Sequence, residues 1–124
     1  MKKKRDPDGK FRREISAGTT SLALLSILAE SAQPMYGYEI AKLMDRGEDR
    51  SLIKHGALYP VLRSLESNGL LSSRVEPSVS GPPRRYYSIT DEGMKALERW
   101  RGIWFRTCRL MERILEGVID DKTD

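Results

Sequence analysis

The segment around Pro60 constrains the fold of this chain of 124 residues more than any other feature. Proline has no amide hydrogen and clashes with the preceding helical turn, so a helix that contains Pro60 must hold it in its first turn. The helix is therefore predicted to begin near Gly56. Within it, Leu58, Leu62 and Leu65 recur at helical spacing and form a stripe that one side of the helix can bury.

Two short strands are predicted directly after this helix. Asn68-Gly69 ends the helix, and the strands span residues 70–76 and 84–89 around a loop that is longer than a tight turn. Arg84-Arg85 opens the second strand, so the hairpin carries positive charge near its tip. A helix followed by a basic hairpin is typical of a winged helix-turn-helix, in which the helix enters the major groove of DNA and the hairpin, or wing, lies on the flanking backbone.

The N-terminal part is predicted to contain an arm and two helices. Residues 1–15 are basic, and Pro7 with a nearby glycine breaks helical structure, so a disordered basic arm is expected. Apolar spacing predicts helices over about 17–31 and about 36–46. Residues 16–90 are thus expected to form one winged-helix DNA-binding domain. The predicted fold class is mainly α with a small β-hairpin.

The last helix is predicted to be long and to join two copies of the chain. Thr90 can cap it, and apolar residues continue at helical spacing to about Val118. Its stripe has alternating spacings of three and four residues, the pattern of a helix seam, and consists of Leu97, Trp100, Trp104, Thr107, Met111, Ile114 and Val118. At 1.5 Å per residue the helix is about 40 Å long, which is more than one small domain can cover. Residues 91–124 are therefore expected to be a C-terminal dimerisation helix of a homodimer.

Positive charge is concentrated in two segments. The net charge of the chain is only +4, but residues 1–15 and 50–87 each carry +4, whereas residues 16–49 and 88–124 carry −3 and −1. Contacts between such segments and phosphates release counterions, which makes double-stranded DNA the expected partner. On charge alone, accidental clustering on a solvated surface remains an alternative.

The sequence argues against an enzyme. His55 is the single histidine and Cys108 the single cysteine, whereas metal sites need three or four ligands. No Ser/His/acid set or phosphate-binding glycine loop is present, so no catalytic residue, metal or cofactor is expected. A lone cysteine fits a reducing cytoplasm, and the apolar run over residues 22–29 is too short to span a membrane.

Three blocks of sequence resemble the PadR family of bacterial transcriptional regulators. They are Tyr36–Ile40 in the second helix, Gly56–Leu71 in and after the third, and Gly81–Gly93 in the wing and the start of the last helix. The resemblance covers most of residues 19–100. It implies a homodimeric repressor that binds a palindromic operator and often responds to phenolic acids, drugs or other small aromatic compounds. The single C-terminal helix is similar to the smaller subfamily.

Candidate DNA-binding residues lie on the third helix, on the wing and at the start of the second helix. They are Tyr38, His55, Ala57, Tyr59, Arg63, Ser64, Arg84 and Arg85. Arginine binds phosphate or guanine, and a tyrosine hydroxyl binds a phosphate oxygen. Because successive strand residues point to opposite faces, Arg84 and Arg85 are not expected to bind the same phosphate. Tyr59 has the alternative of packing beneath the wing.

Candidate effector-binding and interface residues lie on the seam of the last helix: Leu97, Trp100, Trp104, Thr107, Met111 and Ile114. Flat aromatic ligands can stack on the two tryptophans, and Arg99, Arg101 and Arg106 are placed to attract anions. The alternative is that both indoles are simply interface core. Two other functions remain open, namely a regulator that needs no ligand and a winged helix that docks on another protein.

Overall fold

The computed structural model describes residues 5–44 and 58–117, and this part of the chain contains four helices and three strands. The elements in chain order are α1 (Pro7–Glu30), β1 (Met35–Tyr36), α2 (Gly37–Met44), α3 (Leu58–Ser67), β2 (Leu71–Glu76), β3 (Arg84–Ile89) and α4 (Asp91–Leu115). The predicted class, a mainly helical winged helix with a long C-terminal helix, is confirmed. None of the helices described is long and apolar enough to cross a membrane.

The first helix begins earlier than the sequence pattern predicts. Residues 7–15 are helical rather than a disordered arm, because Asp6 caps α1 and its carboxylate accepts the amide hydrogen of Gly9 at 3.0 Å. Pro7 occupies the first helical position, where its fixed φ is favourable and its missing N–H costs nothing. The predicted boundary at residue 15 is therefore wrong, and residues 1–4 lie outside the described part.

The wing belongs to a sheet of three antiparallel strands with the order β1-β3-β2. The two predicted strands form the hairpin, in which Leu71 is opposite Ile89 and Glu76 is opposite Arg84. The additional strand β1 pairs with the other edge of β3, which places Tyr36 opposite Tyr86. The prediction of a two-stranded hairpin missed β1, because two residues are too few to show an alternating pattern.

The core lies between α1, α2, α3, the sheet and the first turns of α4. Its buried members are mostly leucines from the predicted stripes: Leu24, Leu25, Leu28, Ile40, Leu58, Leu62, Leu65, Leu71, Tyr87, Ala96 and Leu97. Each buried leucine contributes about 1.5–3 kcal/mol through removal of its apolar surface from water. The core therefore holds the outer face of α3 and the wing in a defined relative position.

The junction between α3 and α4 is built from hydrogen bonds between backbone groups and from bonds of the Thr90 hydroxyl to backbone groups. Gly69 has a φ of +79° and ends α3, with its amide donating to Glu66 O and the next amide, that of Leu70, donating to Leu65 O. Thr90 caps α4 as predicted, since its hydroxyl accepts the Gly93 amide hydrogen at 3.0 Å. The same hydroxyl donates to Gly69 O at 2.7 Å, so one side chain joins both helix ends.

Candidate nucleic-acid interface

The outer face of α3 presents a tyrosine, an arginine and a serine. Because the leucine stripe faces the core, Tyr59, Arg63 and Ser64 point outward, and all three are exposed. These residues were predicted from the sequence as DNA contacts, and the structure places them where a duplex can reach them. His55 and Ala57 lie outside the described residues.

Tyr59 is partly packed and partly exposed, which is compatible with both alternatives that the sequence left open. Its side chain is 49% exposed, yet its ring lies against the backbone of Gly37 at the start of α2. A β-carbon at Gly37 would lie only 2.6 Å from Tyr59 Cε1 and 2.7 Å from Cζ, so the ring keeps this position only beside a glycine and is displaced by any larger residue. One edge of the ring thus packs on α2 while the rest of the side chain faces solvent.

A cleft of about 420 Å³ separates α3 from the wing. It is lined by Tyr59, Arg63, Glu66, Arg85 and Tyr87, so it contains one arginine from each side. Burial raises the pKa of the Tyr87 phenol above 10.0, and Arg85 opposes this shift through its positive charge. The phenol therefore stays neutral, and the cleft has two cationic groups and one carboxylate.

The two wing arginines point to opposite sides, as the strand geometry predicts. Arg85 faces α3, and its Nη1 donates a hydrogen bond of 2.9 Å to the Ser73 hydroxyl. That hydroxyl in turn donates to the Glu66 carboxylate at 2.6 Å. Arg84 faces the other way, with its guanidinium carbon 4.5 Å from the centre of the Tyr36 ring, a cation–π distance.

A row of aromatic rings continues from the wing to α2. The ring centre of Tyr36 lies 5.5 Å from that of Tyr86 and 6.2 Å from that of Tyr38. Tyr38 is 60% exposed at the start of α2, which agrees with its predicted outward position. Lys42 Nζ lies 5.6 Å from the centre of the Tyr38 ring and adds a positive charge beside it.

Three residues of this interface were not identified from the sequence. Lys42 follows Tyr38 by four positions, and this helical spacing is a signal from which it could have been found. Glu66 and Ser73 gave no such signal, because their contacts join α3 to β2 and then to β3. Arg74 is paired with Glu76 at 2.8 Å, so part of its charge is neutralised.

The predicted effector residues separate into three environments. Leu97 is only 5% exposed and belongs to the core, so its assignment to the dimer interface was wrong. Trp100, Trp104 and Thr107 line a groove of about 440 Å³ between α1 and α4. Met111 and Ile114 are exposed farther along α4.

The groove between α1 and α4 has an almost entirely apolar lining. The side of α1 contributes Glu14, Ile15 and Leu22, and α4 adds Ile103 to the three predicted residues. Among the described residues that line the groove, Glu14 is the one ionisable side chain. The three arginines expected to attract anions, Arg99, Arg101 and Arg106, are not part of the lining.

Metal ligands are not grouped anywhere in residues 5–44 and 58–117. No set of three or more His, Cys, Asp or Glu side chains is placed there so that it could hold a metal ion. The candidate interface contains arginine, lysine, tyrosine and hydroxyl groups together with the single carboxylate of Glu66 in the cleft.

Comparison with known proteins identifies relatives over most of the chain. Residues 24–99 match the model of the transcriptional regulator PadR-like family. No curated protein shows significant similarity to the chain.

Solved structures of bacterial regulators resemble the chain in sequence and in fold. A PadR family transcriptional regulator from Eggerthella lenta is 37% identical, with a TM-score of 0.71 and coverage of 86% of this chain and 90% of the other. A PadR family regulator from Clostridium difficile is 34% identical, with a TM-score of 0.62 and coverage of 77% and 97%. A transcriptional regulator from Clostridium thermocellum is 31% identical, with a TM-score of 0.71 and coverage of 81% and 96%.

Proposed function

Because the chain belongs to the PadR-like family of DNA-binding transcriptional regulators, which are not enzymes, we propose that it is a homodimeric, sequence-specific repressor that a small aromatic effector releases from its operator. The observation that carries this proposal is the cleft between α3 and the wing. Arg63, on the exposed surface of α3, and Arg85 of the wing both line this cleft. A regulator of this kind acts where the bacterial chromosome lies, in the cytoplasm.

Dimerisation is supported by the apolar surface that the described chain leaves uncovered. The last buried residue of α4 is Leu97, and the remainder of this helix exposes Ile103, Phe105, Leu110, Met111, Ile114 and Leu115. The N-terminal half of α1, which runs beside the groove, exposes Phe11 and Ile15. Exposed apolar side chains in this number are unfavourable in water and mark an interface. A second copy of the chain supplies a matching surface, so α1 contributes to the dimer together with α4.

A two-fold dimer would present two copies of α3 to one duplex. Helix-turn-helix dimers bind half-sites that are about 34–36 Å apart, and the two-fold axis of the protein requires an inverted repeat in the operator. Residues 1–4 include three lysines, which add to the positive charge of the chain.

The effector is proposed to bind in the groove between α1 and α4. The indoles of Trp100 and Trp104 provide flat surfaces for an aromatic ring, and Trp104 is 39% exposed in the single chain. Apolar pockets with a few polar groups, located between helices, are preferred sites for small ligands. Since Glu14 is the ionisable group in the lining, a neutral or cationic effector fits the groove better than an anion.

The groove lies beside the core, and this position allows a bound effector to release the protein from DNA. Trp100 packs against the core and also lines the groove. A ligand in the groove therefore contacts the segment of α4 that is packed on the winged-helix core. A changed angle of α4 alters the distance between the two α3 helices and removes phosphate contacts on one side. By linkage, effector and DNA must weaken each other's binding by the same factor.

The test of DNA binding compares Arg63→Ala with Arg101→Ala. Arg101 is an exposed arginine of α4 that is paired with Glu98, away from the cleft. With a duplex from upstream of the chain's own gene, Arg63→Ala is expected to bind about tenfold more weakly and to reduce the salt slope by about 0.9 per lost phosphate contact. Equal affinity of both variants and the unchanged protein, or a monomer in sedimentation, contradicts the proposal.

The effector is tested by tryptophan fluorescence with two planar probes of opposite charge, acridine orange and 4-hydroxycinnamate. Saturable quenching that is stronger for the cation and is lost in Trp104→Ala supports the proposal. Absence of saturable quenching by either probe favours the alternative, a regulator that needs no ligand.

A further inference from the structure

Three elements meet in a chain of hydrogen bonds at the side of the cleft. Glu66 near the end of α3 accepts from the Ser73 hydroxyl of β2 at 2.6 Å, and Ser73 accepts from Arg85 Nη1 of β3 at 2.9 Å. Ser73 and Arg85 are diagonal neighbours on one face of the hairpin, because Arg85 is opposite Val75. In the described part of the chain, the carboxylate therefore reaches the guanidinium through a hydroxyl group.

This arrangement orients Arg85 without occupying it. A guanidinium has five N–H donors, and the contact with Ser73 uses one of them. The remaining donors are available to a ligand in the cleft. An exposed arginine without such an anchor samples many rotamers and loses this freedom when it binds. Arg63 lies in the same cleft on α3, so two cationic groups on separate elements face one space.

We infer that one backbone phosphate of the bound DNA occupies this cleft between Arg63 and Arg85, and that Glu66 and Ser73 are positioning residues for Arg85. The inference rests on the proposed function and specifies how the wing and α3 hold the same strand. It has an unusual consequence, since Glu66 promotes DNA binding although its own charge repels phosphate.

The two possible effects of Glu66 have opposite signs. If the carboxylate acts only through its charge, its removal reduces repulsion and strengthens binding to DNA. If it acts through Ser73, its removal releases Arg85 and weakens binding. Glu76 provides the matched control, because it is an acidic residue of the hairpin that carries Arg85 but pairs with Arg74 instead.

The experiment measures affinity by fluorescence anisotropy with a labelled duplex of about 30 base pairs, which spans two half-sites. Ser73→Ala keeps every charge and is expected to bind about three- to tenfold more weakly, with a smaller salt slope. Glu66→Ala is expected to behave likewise, whereas Glu66→Gln keeps the acceptor and Ser73→Thr keeps the hydroxyl, so both retain most of the affinity. Glu76→Gln is expected to bind equally or more tightly.

A double-mutant cycle separates positioning from general damage to the fold. When Arg85→Ala is already present, Ser73→Ala is expected to have no further effect on affinity. Thermal unfolding is followed for every variant, and if Glu66→Ala does not fold, the Ser73→Ala and Ser73→Thr pair decides.

Two results overturn the inference while the proposed function stands. One is tighter binding by Glu66→Ala, and the other is unchanged binding by Ser73→Ala or Arg85→Ala although Arg63→Ala binds weakly. If the unchanged protein binds neither this duplex nor its upstream DNA at low salt, the proposed function itself fails and the inference fails with it.

Discussion

Gly93→Ala is expected to destabilise the protein strongly, although alanine is the better helix former. Gly93 lies in the first turn of α4, against the chain that links α3 to β2. A β-carbon there would clash with the Leu70 carbonyl oxygen and would lie 2.6 Å from Ile89 Cγ1. The first of these atoms is backbone and cannot rotate away, so the end of α4 must move.

The loss in free energy of unfolding can be calculated from the hydrogen bonds that this movement weakens. Thr90 N donates to Leu70 O at 3.1 Å, and the Gly93 amide donates to Thr90 Oγ1 at 3.0 Å. Two weakened hydrogen bonds cost about 2 kcal/mol, and overpacking adds about 1–3 kcal/mol. The higher helix propensity of alanine returns about 1 kcal/mol, which leaves a net loss of about 2–4 kcal/mol.

Urea unfolding followed by circular dichroism measures this loss. For an m-value of about 1.5 kcal/mol/M, the midpoint is expected to fall by about 1–3 M. All variants are compared at one protein concentration, because the stability of a dimer depends on it.

Gly102→Ala in the same helix is the matched control. A β-carbon there would meet only the end of the flexible Arg106 side chain, at 3.1 Å from Nη1, so this variant is expected to gain about 0.5–1 kcal/mol. If Gly93→Ala is as stable as the unchanged protein, or if both variants are stabilised alike, the close approach to Leu70 does not exist and the reasoning is refuted.

Two further predictions concern the cleft. Burial raises the pKa of the Tyr87 phenol in the folded state above 10.0. As pH rises, the unfolded chain therefore loses the phenol proton before the folded chain does. The contribution of this group to the free energy of unfolding is complete below pH 10.0 and is lost as pH rises above it. The urea midpoint of the unchanged protein should fall more steeply above pH 10.0 than that of Tyr87→Phe, and parallel curves contradict the prediction. Gly37→Ala should displace the half-exposed ring of Tyr59 at a cost of less than about 1 kcal/mol of stability, yet weaken DNA binding several-fold, as Tyr59→Ala does. A large loss of stability with unchanged affinity would show instead that Tyr59 only packs.

The local features of the fold could be predicted because they depend on neighbouring residues. Pro60 lies in the first turn of α3, as its missing amide hydrogen requires. Gly69 marks the end of α3, and Thr90 marks the start of α4. The stripe of leucines likewise identified the buried side of α3 and thus its exposed side. The start of α1 at Pro7 was also encoded locally, by an aspartate cap and a proline in the first turn, but in the sequence alone Pro7 is interpreted as a helix breaker.

What the sequence determined by itself is therefore the order of the four helices and the two hairpin strands, their apolar faces and the family. The tertiary structure alone decided which members of one stripe serve the core, so that Leu97 is buried while Met111, on the same seam, is exposed. It also decided that Arg85 contacts Ser73, which in turn contacts Glu66, whereas Arg84 contacts an aromatic ring. The physical reason is that periodicity reports only that a face is apolar or that a charge is present. Which distant segment comes to lie opposite depends on how the whole chain packs.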